Sequence, residues 1–407
     1  MNIYEPSERQ NDIIKLIRKL DLSPTQYQNA VSKYQRIAKY LESNGIEAEI
    51  YPQGSFSLGT VIRPVSKSTD ASYDLDFVCQ LRKTRDQQSA AELRKEVEEI
   101  LTKSDLYEGK LEISDKCITV RYADIDGVSF SIDIVPAADE TEENKKRLSQ
   151  KCFKPNLIKT AIAIPKHCNV NYNWITNNPR GYREWFEEIN QPFLIACEKR
   201  QRQMIIEANS NMFSTIEEIP NDLLRSSVQR VIQILKYHRD VYYSSFVDGE
   251  DTKPISAIIG TIVAKVAQTQ SPTLSVFELL NCVLDEITTY SNYQFVTEKV
   301  FLERYPDNRL ISRKGNKWFM ENPANPEDNL TDQWNENPNV PKRFFLWIKA
   351  AQNDLISSVN LNESEFRATM ETAFGSNLIS SVWGKKYCPI PSTSVSSTNV
   401  AKPWKKI

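Results

Sequence analysis

Two aspartates separated by one residue mark the segment of this chain best suited to chemistry. Asp74 and Asp76 lie in the strand-forming run 73–81. Because side chains alternate along a strand, both carboxylates project from one face, while Leu75 and Phe77 project from the other toward a core. Aligned carboxylates repel each other, so a cation is expected between them. Mg²⁺ or Mn²⁺ suits these oxygen ligands and leaves coordination positions for phosphate and water.

A third acid follows on another strand-like run. Asp133 stands between apolar neighbours in the segment 131–135. Three aspartates on adjacent strands can hold two metal ions roughly 3.5–4 Å apart, an arrangement that serves in-line displacement at phosphorus. We therefore predict that Asp74, Asp76 and Asp133 are both metal ligands and catalytic residues. The triplet Asp124-Ile125-Asp126 has the same form, but it precedes Gly127 and is interpreted as a solvated turn.

A Gly-Ser pair lies about twenty residues before the paired acids. The chain is poor in glycine, with 11 among 407 residues, so Gly54-Ser55 and the nearby Gly59 carry positional information. In such a turn the backbone approaches a phosphate closely, and we predict triphosphate contacts from Gly54 and Ser55. The alternative is a tight turn without a ligand. The order of Gly-Ser, paired acids and a third acid resembles the polymerase-β-like nucleotidyltransferases.

The resemblance extends to one branch of that superfamily. The sequence resembles the bacterial CD-NTases, the cGAS/DncV-like nucleotidyltransferases of CBASS antiphage systems. The stretches that carry this resemblance are 53–60 (QGSFSLGT), 73–76 (YDLD), 132–137 (IDIVPA), 178–182 (NPRGY) with Trp185-Phe186, 233–240 (QILKYHRD), 253–256 (KPIS), and Asn322-Pro323 with Asn329 and Trp334.

The resemblance implies an activity, cofactors and partners. Such an enzyme condenses NTPs, ATP among them, with release of pyrophosphate into a cyclic di- or trinucleotide second messenger, using two Mg²⁺ ions. It implies phosphate contacts from Lys236 and Ser256; a solvated lysine on an amphipathic helix is the alternative for Lys236. Regulatory or conjugating proteins of CBASS systems are the implied protein partners. Residue spacing does not distinguish cyclisation from linear extension, so a linear oligonucleotide synthase, an RNA-tailing enzyme and an inactive nucleotide-binding scaffold remain alternatives.

The surrounding patterns predict an α+β fold with two lobes. Strand-like runs and helices in residues 1–150 indicate a small mixed sheet flanked by helices, a polymerase-β-like nucleotidyltransferase core. From about residue 157 helical periodicity dominates, so residues 151–388 are expected to form a helical, OAS-like substrate-binding lobe, with the cleft between the lobes. Residues 389–407 are polar and are expected to form a flexible tail. The predicted helices are 24–44, 91–101, 184–206, 221–243, 255–268, 275–290 and 339–359, and a loop is expected at 321–341.

Composition excludes several functional classes. A net charge of −2 argues against bulk binding to duplex DNA. Seven cysteines without a C-x-x-C pair, and two histidines, cannot form a zinc element of the usual spacings. No apolar run is long enough to span a membrane, and the first ten residues do not resemble a secretory signal. We therefore expect a cytoplasmic enzyme with reduced thiols and without a membrane partner.

Overall fold

The computed structural model describes residues 7–63, 72–125, 128–168, 170–208, 224–291, 296–304, 310–315 and 317–388. At Asp74 only the backbone is described. Two features considered above therefore lie outside the described residues: the turn residues Asp126 and Gly127, and the tail 389–407.

The first half of the chain alternates helices and strands. In chain order these are α1 Glu8–Arg18, α2 Pro24–Ser43, β1 Ala48–Pro52, α3 Gly54–Ser57, β2 Ser72–Thr84, α4 Ala90–Thr102, β3 Leu111–Ile113, β4 Ile118–Ile125, β5 Val128–Asp139, α5 Glu142–Ser149, β6 Ile162–Cys168 and β7 Asn171–Asn177.

The second half is mostly helical. Its elements are α6 Pro179–Ala208, α7 Ser227–Tyr243, α8 Gly249–Thr252, α9 Ser256–Ala267, α10 Val276–Ser291, α11 Glu298–Arg304, β8 Ser312–Lys314, β9 Lys317–Phe319, β10 Glu321–Asn322, β11 Asn325–Asn329, α12 Gln333–Glu336, α13 Asn339–Ala351, α14 Glu363–Phe374 and α15 Ser376–Trp383.

Local sequence explains where several elements begin and end. The Ser23 side chain accepts a hydrogen bond from the Gln26 N–H, the Gln26 side chain accepts one from the Ser23 N–H, and Pro24 occupies the first helical turn. Gly45, just beyond this helix, has φ +89°, a backbone conformation that favours glycine. The predicted start and end of α2 are therefore confirmed.

One mixed sheet carries the candidate acids. In the described residues it has seven strands, with β1, β2, β5, β4 and β3 side by side in that order. Strands β2 and β5 are parallel, whereas β1 pairs with β2, and β4 with β5, in antiparallel fashion. Leu75 and Phe77 are buried in the hydrophobic core on one side of this sheet. The alternation predicted for β2 is thus observed at these two residues.

The sheet continues past the strands that the sequence patterns indicate. β6 pairs with the end of β5 through Ala138 and Asp139, and β7 pairs along the other edge of β6. Helical periodicity dominates the sequence pattern of this region, which does not predict these two strands. Pro165 weakens the β pattern of β6 because proline has no N–H to donate. Only Ile162 and Ala163 of β6 pair with β5, so the missing N–H of Pro165 removes no hydrogen bond between these two strands.

The helices of the second half enclose a larger apolar core. Trp185 and Phe186 of α6 are buried in it, so core packing rather than an exposed stacking surface is the observed role of this pair. The first helix contributes to the same cluster through Ile13 and Leu16. Predicted helix 221–243 begins later, with Ser226 as its N-cap. The predicted helix 339–359 ends as an α-helix at Ala351 and continues as a π turn and a 3₁₀ turn.

The predicted loop 321–341 contains short regular elements. Strands β10 and β11 pair there and helix α12 follows, despite many Asn and Asp residues. Asn side chains bond to the backbone instead of solvent: the Asn329 Oδ1 accepts from the Met320 and Thr331 N–H groups, and its Nδ2 donates to the Trp318 carbonyl. These bonds hold a polar segment in an ordered conformation.

A buried histidine links three helical segments. The His238 ring is 1% exposed, its Nδ1 accepts from the Trp347 Nε1–H at 3.0 Å, and its Nε2 lies 3.1 Å from the Asp354 Oδ2. Since Nδ1 is the acceptor, the tautomer protonated on Nε2 donates to Asp354. Asp354 stands in the π turn that follows α13. The ring therefore has a structural position rather than one in the cleft.

This arrangement predicts a stability defect without a catalytic one. Replacing His238 by leucine would leave the buried Trp347 N–H and the Asp354 carboxylate without their partner, which is expected to cost roughly 2–4 kcal/mol of unfolding free energy. Urea unfolding measures this loss. His167→Leu is the matched control because the His167 side chain is 38% exposed. Equal unfolding free energies for the two variants would contradict the structural role.

No helix in the described part of the chain is long and apolar enough to cross a membrane. All seven cysteines lie among the described residues, and none of them is in a disulfide.

Candidate active site

The register of two parallel strands brings the acids together. Asp76 of β2 stands directly opposite Asp133 of β5, and Asp74 stands opposite Ser131. Neighbouring strands are about 4.8 Å apart, so carboxylates in register on one face share a small volume. The two described carboxylates, of Asp76 and Asp133, line one cleft. The Asp74 side chain lies outside the described atoms.

The third acid is oriented by the adjacent strand. Thr119 of β4 pairs with Asp133 across the antiparallel ladder, and its hydroxyl donates to the Asp133 Oδ1 at 2.6 Å. Cys117 lies two residues before Thr119 and also lines the cleft. Burial raises the pKa of its thiol, and the charge of Asp133 acts in the same direction. The neutral thiol therefore adds no charge beside the acids at neutral pH.

The Gly-Ser turn approaches the acids closely. The Gln53 N–H donates to the Asp76 carbonyl at 2.8 Å, and the next residue, Gly54, has φ +59°. A Cβ at Gly54 would lie 2.5 Å from the Asp76 Oδ2, a distance that carbon and oxygen cannot adopt. Only glycine therefore fits beside this carboxylate, and the turn delivers Ser55 to the wall of the same cleft.

One face of helix α7 fixes the segment after this turn. Gln229, Gln233 and Lys236 follow at helical spacing, and all three side chains donate to backbone carbonyl groups. The acceptors are the carbonyls of Leu58, Val61 and Thr60, at 2.9, 2.9 and 3.0 Å respectively. Helix α7 of the second half thus holds the segment that links α3 to residue 63.

Lys236 is a buried cation at this boundary. Its side chain is 6% exposed, and the residue lines the cleft. Burial lowers the pKa of its ammonium group to about 8, with Arg239 acting in the same direction and Asp240 and Asp76 opposing it. One of its three N–H donors is bonded to the Thr60 carbonyl. The structure places Lys236 among the acids' neighbours, not on a solvated helix face.

Ser256 also lines the cleft, at the start of α9. Its hydroxyl accepts a hydrogen bond from Arg239 Nη1 at 3.1 Å. Arg239 is buried and also donates to the Pro254 carbonyl and to the Asp240 carboxylate. The Ser256 hydroxyl is therefore oriented by a buried guanidinium group.

The cleft that joins these residues has a volume of about 610 Å³. Its sheet side includes Ser55, Asp76 and Asp133, and its helical side includes Lys236, Ser256 and the β10–β11 region. Asn178 also lines it: the Asn178 amide donates to the Leu157 and Ala324 carbonyls, and its Oδ1 accepts from the Gly181 N–H. The described charged residues lining the cleft are Asp76, Asp133, Asp328, Asp332, Lys116, Lys236 and Lys253.

The donor set is suitable for a hard divalent cation. Asp76 and Asp133 supply carboxylate oxygens from adjacent strands, and Gly54 leaves the space beside the Asp76 Oδ2 open. Among the described side chains, no group of three or more His, Cys, Asp and Glu residues meets in one place. The side chain of Asp74, two residues before Asp76 on the same strand, lies outside that search.

Sequence patterns did not indicate several residues of this cleft. Lys116 lines it, while Thr119 and Arg239 lie behind it and bond to Asp133 and Ser256, and these positions depend on strand register and on the packing of the two halves. The signal available for Thr119 was its place on a strand-like run that pairs with the run of Asp133.

Comparisons with known proteins show what the chain is similar to. A family model described as the Second Messenger Oligonucleotide or Dinucleotide Synthetase domain, SMODS, matches residues 8–151. The chain is 24% identical over 353 residues to the c-di-GMP synthase of Roseivirga ehrenbergii, covering 86% of this chain and 79% of that protein. It is 21% identical over 336 residues to the cyclic dinucleotide synthase CdnG of Bradyrhizobium diazoefficiens, covering 80% and 70%. The chain is thus similar to CD-NTases over most of its length, and residues 8–151 match the SMODS domain.

Solved CD-NTase structures share its fold. The Bradyrhizobium diazoefficiens CdnG complex with GTP superposes with a TM-score of 0.65 at 18% identity, covering 93% of this chain and 98% of that one. The CdnC structure of E. coli MS115-1 with ATP gives 0.58 at 12% identity, covering 91% and 98%. These findings confirm the α+β, polymerase-β-like fold and the enzyme class expected from the sequence: CD-NTases are nucleotidyltransferases that use divalent metal ions to condense NTPs into cyclic oligonucleotide second messengers.

Proposed function

We propose that this CD-NTase joins two nucleotides, GTP at least one of them, into a cyclic dinucleotide, with Asp74, Asp76 and Asp133 as the ligands of two Mg²⁺ ions. The observation that carries the proposal is the common cleft of the Gly54-Ser55 turn, Asp76 and Asp133. Two relatives along most of the chain are named as makers of cyclic dinucleotides, one of them c-di-GMP. Mn²⁺ offers the same preference for oxygen ligands and is expected to replace Mg²⁺.

The chain's own residues position the donor nucleotide. In a helical turn the first N–H groups have no partner within the helix, so those at the start of α3 are available to phosphate oxygens, beside the Ser55 hydroxyl. The ammonium group of Lys236 supplies positive charge at the same end of the cleft. Ser256, oriented by Arg239, offers a further hydroxyl to the phosphates. The lobe boundaries given by the sequence analysis belong to this proposal, with residues 1–150 as the catalytic core.

The transfer itself is a balanced displacement at phosphorus. A ribose hydroxyl oxygen of the acceptor forms a bond to the α-phosphorus of the donor, and the bond from that phosphorus to the oxygen bridging to the β-phosphate breaks. Pyrophosphate leaves with the electron pair, and the hydroxyl proton passes to Asp133 and then to solvent. Bound divalent ions supply neutralisation of the phosphate charge and a lower pKa for the attacking hydroxyl. A second transfer of the same kind closes the ring.

Two carboxylates on the helical side of the cleft favour guanine over adenine. Guanine presents adjacent N–H donors on its pairing edge, whereas the corresponding ring nitrogen of adenine is an acceptor. Two carboxylates, of Asp328 and Asp332, line the cleft there, and Asp328 accepts a bond from Asn322 Nδ2 at 2.9 Å. Carboxylates accept hydrogen bonds and cannot donate them, so they favour guanine.

Incubation with all four NTPs and Mg²⁺, followed by phosphatase and mass spectrometry, tests the proposal. A cyclic dinucleotide has no terminal phosphate and survives the phosphatase, and we expect guanine in it. Linear oligonucleotides that lose their phosphates, or nucleotides added to an RNA primer, would instead support the alternative enzymes. Absence of any product with either Mg²⁺ or Mn²⁺ would support an inactive scaffold.

The pKa of Lys236 predicts how substrate capture depends on pH. Below about 8 the ammonium group is charged and attracts the triphosphate; above it the proton is lost, so kcat/KM for GTP is expected to fall about tenfold per pH unit up to pH 9.5. Bound phosphate favours the charged form, so kcat should fall less than kcat/KM. Steady-state kinetics from pH 7 to 9.5 give both profiles.

The variant Lys236→Gln tests whether the pH dependence of kcat/KM arises from Lys236. Lys236→Gln keeps a donor for the Thr60 carbonyl but has no titrating group, so its kcat/KM should be lower at pH 7 and show no break near 8. The pH dependence of folding stability has the opposite sign. Between about pH 8 and 10.5 Lys236 is protonated in the unfolded chain and neutral in the folded one. The contribution of Lys236 to the free energy of unfolding therefore rises with pH through that window. A wild-type kcat/KM that is flat up to pH 9.5 would contradict the phosphate contact.

The biological setting and partners form a further part of the proposal. We place the enzyme in a CBASS antiphage system, with a separate effector protein that responds to the cyclic product. A structural neighbour, CdnC of E. coli MS115-1, was solved in complex with a HORMA protein, at a TM-score of 0.57 and 12% identity. A regulatory protein is accordingly the proposed kind of partner. Phage plaque counts with and without the surrounding operon test this setting.

A further inference from the structure

The transfer requires two nucleotides, and Lys236, with the Gly54-Ser55 turn and Ser256, contacts the phosphates of only the donor. The acceptor nucleotide carries its own triphosphate, which must enter a cleft already lined by the carboxylates of Asp76, Asp133, Asp328 and Asp332. Without a cation near the acceptor, this second triphosphate would meet mainly negative charge. We propose that Lys116 binds the phosphates of the acceptor nucleotide; this inference rests on the proposed function.

The sheet order places Lys116 on the side of the acids away from Ser55. The Gly-Ser turn follows β1, next to β2, whereas Lys116 precedes β4, on the far side of β5. Strands β1 and β4 are three strand spacings apart, about 14 Å. Because the donor's α-phosphorus must lie beside Asp76 and Asp133, between these strands, a donor triphosphate held by Ser55 extends away from Lys116. The acceptor must approach from the opposite side, as in-line attack requires.

Among the described cations of the cleft, Lys116 differs from the others in its lack of a described protein partner. Lys236 donates to the Thr60 carbonyl, and Lys253 pairs with Glu250 and Asp240. In the part of the chain that the structure describes, the Lys116 side chain makes neither a hydrogen bond nor an ion pair. It is exposed and lines the cleft one residue before Cys117, whose thiol lies beside Asp133. An ammonium group there is available to a ligand.

A buried arginine holds the loop that carries Lys116. Arg94 of α4 is 1% exposed, and its Nη2 donates to the Ser114 carbonyl at 3.0 Å and to the Cys117 carbonyl at 2.8 Å. The His167 N–H donates to the Asp115 carbonyl at 3.1 Å from β6. The backbone on both sides of Lys116 is therefore fixed although its side chain is exposed. Fixing a loop in this way reduces the entropy lost when the side chain binds a ligand.

Under this proposal Lys116 contributes to the first transfer and not to ring closure. In the first, the acceptor carries a free triphosphate beside Lys116. In the second, the triphosphate belongs to the linear intermediate and must occupy the donor position near Ser55 and Lys236, while the nucleotide in the acceptor position carries only the internal phosphodiester. Removing the charge of Lys116 should therefore slow formation of the linear intermediate much more than ring closure.

Substrate analogues isolate the acceptor position. A 2′,3′-dideoxy-GTP can act only as donor, and a GTP analogue with a methylene group between the α- and β-phosphates can act only as acceptor. If mass spectrometry identifies another base, the analogues of that nucleotide are used. With these substrates, Lys116→Gln is expected to raise KM for the acceptor roughly tenfold, the effect of losing one charge-assisted phosphate contact. KM for the donor should not change.

Four comparisons make the result specific. With guanosine, which has no phosphates, as acceptor, wild type and Lys116→Gln should have the same KM, and Lys116→Arg should retain acceptor binding. Lys95→Gln, an exposed lysine on α4 paired with Glu99, is the matched control and should behave as wild type. Ring closure from a preformed linear dinucleotide should differ less than threefold between wild type and Lys116→Gln.

Two outcomes would overturn the proposal: an unchanged KM for the acceptor triphosphate in Lys116→Gln, or an equal rise with guanosine, which would indicate a change in the loop rather than a phosphate contact. A rise confined to the donor KM would assign Lys116 to the donor phosphates instead. Failure of the proposed function is distinguishable, because the wild type would then form no cyclic dinucleotide, whereas failure of this inference leaves that product unchanged in the wild type.

Discussion

Replacing Asp133 by asparagine is expected to lower the rate of pyrophosphate release by at least about 10³-fold without unfolding the protein. Asparagine has nearly the same size as aspartate, and its carbonyl oxygen can still accept the 2.6 Å hydrogen bond from Thr119. What it lacks is the negative charge that holds a divalent cation beside Asp76. Asp76→Asn should have the same effect. Release of pyrophosphate from GTP with Mg²⁺ measures both.

A matched substitution on the same strand is the control. Asp139 stands near the end of β5 and accepts a 2.6 Å hydrogen bond from Gln80, but it is not among the described residues that line the cleft. Asp139→Asn should therefore retain turnover within about threefold of wild type, a change of well under 1 kcal/mol in barrier height. Thermal unfolding adds a second measurement: Mn²⁺ with a non-reacting GTP analogue should stabilise the wild type and not Asp133→Asn. Turnover within tenfold of wild type in both active-site variants would contradict the metal assignment.

The residues of the candidate site could be found from the sequence because each lies in a local pattern. The alternation around Asp76 requires Leu75 and Phe77 to face the core, and both are 1% exposed or less. Asp133 follows the same rule on its own strand. Their direct pairing, however, depends on the register between β2 and β5, strands separated by a helix and two other strands, and no local pattern specifies that register.

Contacts between distant segments set the limit of the sequence analysis. Lys236 and Thr60 are 176 residues apart, yet the lysine's position in the cleft depends on that hydrogen bond. The strand β6 was missed because Pro165 weakens its β pattern, and the strands β10 and β11 because Asn and Asp residues are typical of loops. Strand β6 is stabilised by its partner β7. Strands β10 and β11 are stabilised by hydrogen bonds from the backbone to the Asn329 side chain, which no sequence pattern indicates.

The packing of helix α7 relates the two halves of the molecule. Its three donors, Gln229, Gln233 and Lys236, bond to the segment that follows the Gly-Ser turn, so a shift of this helix would move Ser55 relative to Asp76. The positions of the candidate phosphate-binding residues and of the candidate metal ligands are therefore coupled through this helix. This explains why a small backbone change at the turn should have a large effect on activity.

The addition of a single methyl group at Gly54 tests that coupling most directly. Gly54→Ala is expected to reduce kcat/KM on the order of 10²-fold, because a Cβ there would lie 2.5 Å from the Asp76 Oδ2 and must displace either the carboxylate or the turn. The φ of +59° at Gly54 adds a backbone strain of about 1–2 kcal/mol. Activity and unfolding free energy, measured on the same preparation, separate the two effects.

The variant Gly109→Ala separates the effect of backbone strain from the effect of displacing the Asp76 carboxylate or the turn. Gly109 has a closely similar φ of +68°, but a Cβ there would meet no atom within 4 Å. This control should lose stability by a similar amount while keeping its activity, since its cost is confined to the backbone conformation. If both variants lose activity equally, strain alone accounts for the defect and the close approach to Asp76 has no catalytic consequence. If only Gly54→Ala does so, the space between the turn and the carboxylate is what the reaction requires.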